Sequence, residues 1–334
     1  MVRCTWTRHA ALAVTLIFSP ALAADKVTFA TNWLPEAEHG GYYQALADGT
    51  YARFGLDVTI LPGGPQTGNR LLLAAGKIEF YMGVNMIQPF NAVEQKVPTI
   101  VIAAHFQKDP EIIMSHPGTG HDNWNDLTSA KAFIGKESLA SFYQWMVIDH
   151  GFKEENVAPY NFNPGPFIAD KNAIQGGYVT SEPFEVERVG KFKPNVFLLA
   201  DLGFTTYATL VEARTDLVEK NPDLVQRFVD ASAIGWYTYL YGDSSKGNAA
   251  IKLENPDISD EQIAFSTAEM RRYGIVDSGD SLKLGIGAMT DARMKDFFDK
   301  MVKAKVVAPG IDYKKAYTLQ FVNKGVGLDL RPKN

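Results

Sequence analysis

The chain of 334 residues is almost without cysteine: Cys4 is its one thiol. The body of the protein therefore has no disulfide, no thiolate metal site and no catalytic thiol. Positive charge is also scarce. Lys and Arg total 33 against 38 Asp and Glu, a net charge of −5. Nucleic acid is excluded as the main partner, because phosphate binding needs a basic surface; a small anion in a local pocket is not. Past residue 24 no apolar run reaches the roughly 18 residues of a membrane span. The six histidines are scattered at 9, 39, 105, 116, 121 and 150. None has the spacing of a helical metal pair, and His116 and His121 flank a Gly-rich turn that reads as a solvated loop. No G-x-S-x-G elbow, Walker A loop or G-x-G-x-x-G turn is present. No catalytic set, metal site or cofactor site emerges, so binding without chemistry is the expectation. No repeat and no low-complexity segment interrupts the chain.

What is present begins with a leader. Arg3 and Arg8 form a basic segment, 10–18 is short and apolar, and Ala21-Leu22-Ala23 is an A-x-A cleavage site. Residues 1–24 thus read as a secretory signal peptide. Cys4 leaves with it and sits too early to be a lipidated cysteine. The mature chain keeps 31 basic and 38 acidic residues, a net charge of −7. Export without disulfides suits a periplasmic protein with a large core, and 46% hydrophobic residues supply that core.

Strands and helices alternate along the mature chain. Strands are expected at 26–31, 56–61, 78–84, 99–104, 132–135, 157–162, 174–180 and 196–200. Residues 40–54 carry Tyr43, Leu46, Ala47, Tyr51 and Phe54 at helical spacing. Gly63-Gly64-Pro65 opens a helix towards Ala75, and Gly151 ends another. From about Leu210 the pattern turns to long helices, with Asn221-Pro222 and Ser259 as N-terminal signals and Thr290 as a further cap. This alternation indicates α/β architecture with parallel, doubly wound sheets. The simplest division is two lobes: 25–108 with 210–334, and an inserted lobe at 109–209. Chain crossings near 105–113 and 207–213 form the hinge. Ligands of such sheets bind outside the carboxyl ends of the strands, so two facing lobes make a cleft that closes by hinge motion.

Several residues fall at those strand ends. Trp33 follows the first strand, where an indole either stacks on a flat ring or half-fills the core. Glu36, Glu38 and His39 form a small acidic cluster, with His39 either a ligand contact or part of a solvated helix start. The Gly63-Gly64 turn offers N–H groups to a ligand or is a plain tight turn. Asn85 supplies a donor and an acceptor, or caps a helix. In the second lobe Ser138, Ser141, Asn161, Tyr178 and Glu182 occupy equivalent places. Glu182 either accepts hydrogen bonds from an amino group or is a surface Glu before Pro183.

The run Asn32-Trp33-Leu34-Pro35-x-x-x-His39-Gly40-Gly41-Tyr42-Tyr43-x-Ala45, then Gly55-Leu56-Asp57-Val58 and Gly63-Gly64, resembles a group of ABC-transporter substrate-binding proteins. These serve thiamine precursors, alkanesulfonates, taurine and nitrate, and the thiamine-pyrimidine branch is the best match. The segment 177–183, ending in Glu182-Pro183, resembles that group's second-lobe segment. The order of elements fits from about 26 to 325. The resemblance implies a type II periplasmic binding protein, monomeric, that delivers a small molecule to an inner-membrane ABC permease. It implies that Trp33 stacks on a heteroaromatic ring and that Tyr42 and Tyr43 add an aromatic wall or a hydroxyl. Gly63, Gly64 and Asn85 would give first-lobe polar contacts; Ser138, Ser141, Asn161 and Glu182 would give those of the second. A eukaryotic branch of the group makes the thiamine pyrimidine with a cysteine-rich iron-binding motif, which this chain lacks. Asn163-Pro164-Gly165-Pro166 departs from the group and is expected to shorten the helix that follows.

Aromatic residues expected around the cleft are Trp33, Tyr42, Tyr43, Phe162, Phe167, Tyr178, Phe204 and Tyr207. They favour a planar nitrogen heterocycle, a thiamine pyrimidine precursor first and a riboflavin-like ring next. The alternative ligand is an alkanesulfonate or taurine-type oxyanion, for which Arg70, Lys136 and Lys171 are the candidate cations. A remoter alternative is an exported enzyme acting on a heterocycle.

Overall fold

The computed structural model describes residues 1, 23–65 and 67–333. The basic segment, the apolar run and Cys4 of the leader lie outside the described residues. Two five-stranded sheets organise the rest. The first has the order β2-β1-β3-β10-β4, built from β1 (Asp25–Ala30), β2 (Leu56–Leu61), β3 (Phe80–Asn85), β4 (Thr99–Phe106) and β10 (Ala208–Arg214). The second has the order β7-β6-β8-β5-β9. Its strands are β5 (Glu111–Ser115), β6 (Lys131–Ile134), β7 (Val157–Pro159), β8 (Ala173–Tyr178) and β9 (Asn195–Leu198). One continuous core of buried apolar side chains runs through both sheets.

The sheets are mixed rather than wholly parallel. β10 lies antiparallel between β3 and β4, and β5 lies antiparallel to β8 and β9. These two strands follow the two chain crossings, and their direction reflects arrival from the other sheet. The sequence pattern at 208–214 reads as the approach to helices, and β10 corrects that. Its alternation is hidden because both of its faces are covered and because Glu212 is buried in mid-strand. The Arg70 guanidinium donates to both Glu212 carboxylate oxygens at 3.3 and 2.9 Å. Gly83 on β3 makes the room, since a Cβ there would stand 2.5 Å from Glu212 Oε1.

Helix ends follow their local chemistry. Asn221 Oδ1 accepts from Leu224 N, and Ser259 Oγ from Gln262 N. Gly151, with φ +75°, stops the helix Phe142–His150. The expected helix over 40–54 is two, Gly40–Ala47 and Thr50–Arg53, broken where Gly49 turns left-handed. The helix after Asn163-Pro164 is short, five residues, Gly165–Ala169. No described helix is long and apolar enough to cross a membrane.

The glycine pair of the His39-Gly40-Gly41 run is a packing requirement. The helix Gly40–Ala47 crosses Pro222–Tyr241 so closely that a Cβ on Gly40 would meet the Tyr239 ring at 2.1 Å. A Cβ on Gly41 would meet Trp236 at 2.3 Å, and one on Gly235 would meet the Gly41 carbonyl at 2.2 Å. A methyl at the last position must push backbone against backbone. Gly235→Ala is expected to cost about 1–3 kcal/mol by overpacking, read as a lowered denaturation midpoint in urea. An unchanged midpoint would show that the helices separate freely.

Candidate functional site

The crossings between sheets are tied together by Arg293, near the start of the helix Asp291–Lys303. Its Nε donates to the Thr205 carbonyl at 2.8 Å, and its Nη2 to those of Thr206 and Gln107. The guanidinium also lies 4.0 Å from the Tyr207 ring centre, a cation–π contact. Both crossings are thus held side by side, and the ends of both sheets meet beside them.

Trp33, in the loop after β1, faces Phe162, which follows β7, with ring centres 5.2 Å apart. Its loop is braced from behind. Gly63 N donates to the Trp33 carbonyl and to Thr31 Oγ1, both at 3.1 Å. A Cβ on Gly63 would stand 2.5 Å from the Thr31 carbonyl oxygen. The N–H of Gly63 is therefore spent on holding Trp33, and Gly64, half-buried, lies beside Leu34. Phe162 is largely exposed and has φ 58°, a left-handed backbone uncommon for a bulky residue.

Below this aromatic pair, five carboxylates converge from four parts of the chain. Glu36 and Glu38 come from the segment after β1, Asp109 from the first crossing, Glu111 from the start of β5, and Glu182 from the start of the helix Glu182–Gly190. Glu182 accepts from Tyr178 N at 2.7 Å and from the Tyr160 hydroxyl at 3.4 Å. Asp109 accepts from Asn85 Nδ2 at 3.2 Å and from Glu111 N at 3.1 Å. Glu111 stands opposite Tyr178 in the β5–β8 pairing, and the Tyr178 hydroxyl feels Glu111, Asp109, Glu36 and Glu182 together.

Among the described residues none of the five forms an ion pair. Burial disfavours their charged forms, and Glu36, Glu38 and Glu111 also feel neighbouring carboxylates. Glu38 is pushed up to about 7 and Asp109 to about 6. Glu36 and Glu111 rise well above the ordinary carboxylate range, by burial first and mutual repulsion second, and Glu182 is raised by burial. Glu38 is 3% exposed, and neither of its carboxylate oxygens has a hydrogen-bond partner. The Thr180 hydroxyl, buried with no other partner, and the backbone N–H of Glu38 itself lie close enough to favour the charged form.

Other expected contacts have structural duties instead. Tyr42 is in the core, its hydroxyl 2.9 Å from His105 Nδ1 and its ring against Phe29 and Trp236. Tyr43 is buried with its hydroxyl unpartnered. His39 Nδ1 accepts from Glu36 N at 3.2 Å, and burial lowers its pKa to about 3, so it is a neutral brace. Asn85 caps Ile87 N with Oδ1 and gives its amide to Asp109, which places it beside the cluster as a support. Ser141 turns back to the Ser138 carbonyl, and both serines are half-buried. Asn161 is exposed. Phe167 packs on His116 and Phe192, Phe204 on Trp145 and Phe297, and Tyr207 belongs to the crossing. Of the candidate cations, Arg70 is committed to Glu212, and Lys136 and Lys171 are exposed. Sequence reasoning missed Asp109, Glu111 and Tyr160, while Thr180 fell with Tyr178, Ser181 and Glu182 at the expected strand end. The one signal was the spacing of Glu36 with Glu38 and Asp109 with Glu111, which alone says nothing of their meeting. A groove of about 320 Å³ beside Val93, Ala308 and Ile311 shares no residue with this site.

Two mixed sheets joined by paired crossings, with a site where their ends meet, define the periplasmic-binding-protein fold. The solved structure of the periplasmic aliphatic sulphonate binding protein SsuA from Escherichia coli matches it with a TM-score of 0.65 at 12% identity, over 87% of this chain and 91% of that one. The chain belongs to the NMT1/THI5-like family, whose profile matches residues 36–242. The riboflavin-binding protein RibY of Chloroflexus aurantiacus is 23% identical, over 90% of this chain and 87% of its own. The 4-amino-5-hydroxymethyl-2-methylpyrimidine phosphate synthase of Schizosaccharomyces pombe is 22% identical, over 63% and 64%.

The burial of Glu38 sets a sign for stability. Its folded pKa of about 7 lies above the usual 4.5, so its contribution is fully present below pH 4.5 and is lost as pH rises through 7. Glu38→Gln removes that loss. The variant is expected to melt about 2–5 °C above the parent at pH 8 and level with it at pH 4.5, by calorimetry. The comparison at each pH cancels His39 and His105. Equal melting at both pH values would show that Glu38 is solvated.

Proposed function

We propose that this chain is the exported solute-binding component of an ABC importer and takes a small planar nitrogen heterocycle between its lobes. The lobes comprise about 25–108 with 210–334, and 109–209, with the second boundary drawn back to the start of β10. The observation that carries the reading is the pairing of Trp33 and Phe162 above a cluster of carboxylates. The two rings touch each other, and parting them would give a flat ring a π face on either side. Carboxylates accept hydrogen bonds and donate none when ionised, so they suit ring N–H and amino groups. An oxyanion would meet repulsion instead, and Arg70, the candidate cation of the first lobe, is already paired with Glu212. The family membership and the relative named for riboflavin binding support a heterocycle; among heterocycles a pyrimidine of the thiamine-precursor type is our reading.

The role is delivery rather than turnover. Binding draws the lobes together about the crossings held by Arg293, and the closed surface is what a permease recognises in the periplasm. The protein acts as a monomer.

Native mass spectrometry of the mature chain, with release and identification of the bound molecule, tests the class. A flat heterocycle is expected; a sulfonate or nitrate would overturn the reading, and an altered product on incubation would make the protein an enzyme. For the clamp, Trp33→Ala is expected to weaken binding of the identified ligand at least tenfold, about 1.4 kcal/mol, with the melting temperature retained. Unchanged affinity in a titration would remove Trp33 from the site.

A further inference from the structure

We propose that the heterocycle enters with a positively charged N–H group, an ammonium or amidinium, and that Glu38 is the residue that receives it. This rests on the heterocycle reading above and adds the ligand's charge to it.

Glu182 and Asp109 each hold two donors from the protein. Glu38, 3% exposed, holds none at either oxygen. Thr180 Oγ1, its nearest side-chain donor, is fully buried and has no other partner. A buried polar group without a partner costs about 1–3 kcal/mol, more for a charged one, and native proteins seldom carry several at one place. Here they occur together, on opposite lobes, at the point where the ligand reading needs a recognition group. A neutral ring amine would satisfy one oxygen. It would leave the charge that Glu38 takes on as it ionises uncompensated. A cationic group with two N–H donors satisfies the carboxylate and the charge together.

Recognition of this kind moves a proton. The groups facing Glu38 are Glu36 and His39 on its own segment, Thr180 and Glu182 from the second lobe, and Tyr239 from the helix Pro222–Tyr241, with Arg271 beyond Tyr239. His39 stays neutral above pH 4, and Tyr239 stays protonated at physiological pH because burial raises its pKa. A cation arriving near neutral pH therefore displaces the proton of Glu38 into solvent. Affinity rises with pH as that proton is lost beforehand.

The test compares two probes that differ in one group: 4-amino-5-aminomethyl-2-methylpyrimidine, cationic at neutral pH, and its neutral 5-hydroxymethyl counterpart. Each is titrated calorimetrically into the full mature chain at pH 6 and pH 8, in buffers of different ionisation enthalpy. The amine is expected to bind at least ten times more tightly, to gain about tenfold between pH 6 and 8, and to release a proton at pH 6. Glu38→Gln is expected to abolish the preference and the pH slope, and Glu38→Asp to restore part of both. Equal or tighter binding of the neutral probe, or an unchanged preference in a folded Glu38→Gln protein, overturns the inference and leaves the heterocycle reading standing. Binding of neither probe, with no flavin bound, overturns both.

Discussion

The arrangement of this protein depends on one guanidinium. Arg293 holds the carbonyls of Gln107, Thr205 and Thr206, one from the outgoing crossing and two from the return. Carbonyl oxygens in a covered turn need donors, and a planar fork with several N–H groups can serve three of them from one side chain. Tyr207 closes the other face of the guanidinium and is itself fixed by Asp280 and Thr290 N. The Ile275 carbonyl adds bonds to Gln107 N and Lys108 N. The two sheets are therefore joined at a narrow, well-bonded waist, and whatever stands at the sheet ends near that waist is brought face to face.

What stands there is unfavourable on its own terms. Five carboxylates lie within each other's field without an ion pair, and burial raises the proton affinity of each. Strongly perturbed groups in a cleft mark functional sites more often than structural ones. The rest of the molecule shows how this chain treats a buried acid whose role is structural: Glu212 has a paired arginine and a glycine that makes space for it. Glu38 has neither. The contrast between these two glutamates, both almost fully buried, is the strongest internal argument that the interlobe cluster answers to a ligand.

The resemblance carried by the run from Asn32 to Ala45 mixes two kinds of constraint. Trp33 belongs to the contact with Phe162. Gly40, Gly41 and Tyr42 belong to the contact with the helix Pro222–Tyr241, where only glycines allow the approach. The Gly63 turn, which looks like an anion cradle in sequence, is the brace behind Trp33. A shared run can thus identify a fold through packing while leaving the ligand open.

The sequence by itself determined the alternation of strands and helices, most helix ends, and the α/β class, because periodicity and capping are local and each is written in a few neighbouring residues. It also placed Trp33, Tyr178 and Glu182 at strand ends. Only the tertiary structure decided that β10 fills the middle of the first sheet, since a strand covered on both faces with a paired glutamate has no period to read. Only the tertiary structure sent Tyr42 and Tyr43 inward and brought residues 36, 38, 109, 111 and 182 to one place. The energy of a carboxylate depends on burial and on neighbours distant in the chain, and neither is fixed until both crossings have formed.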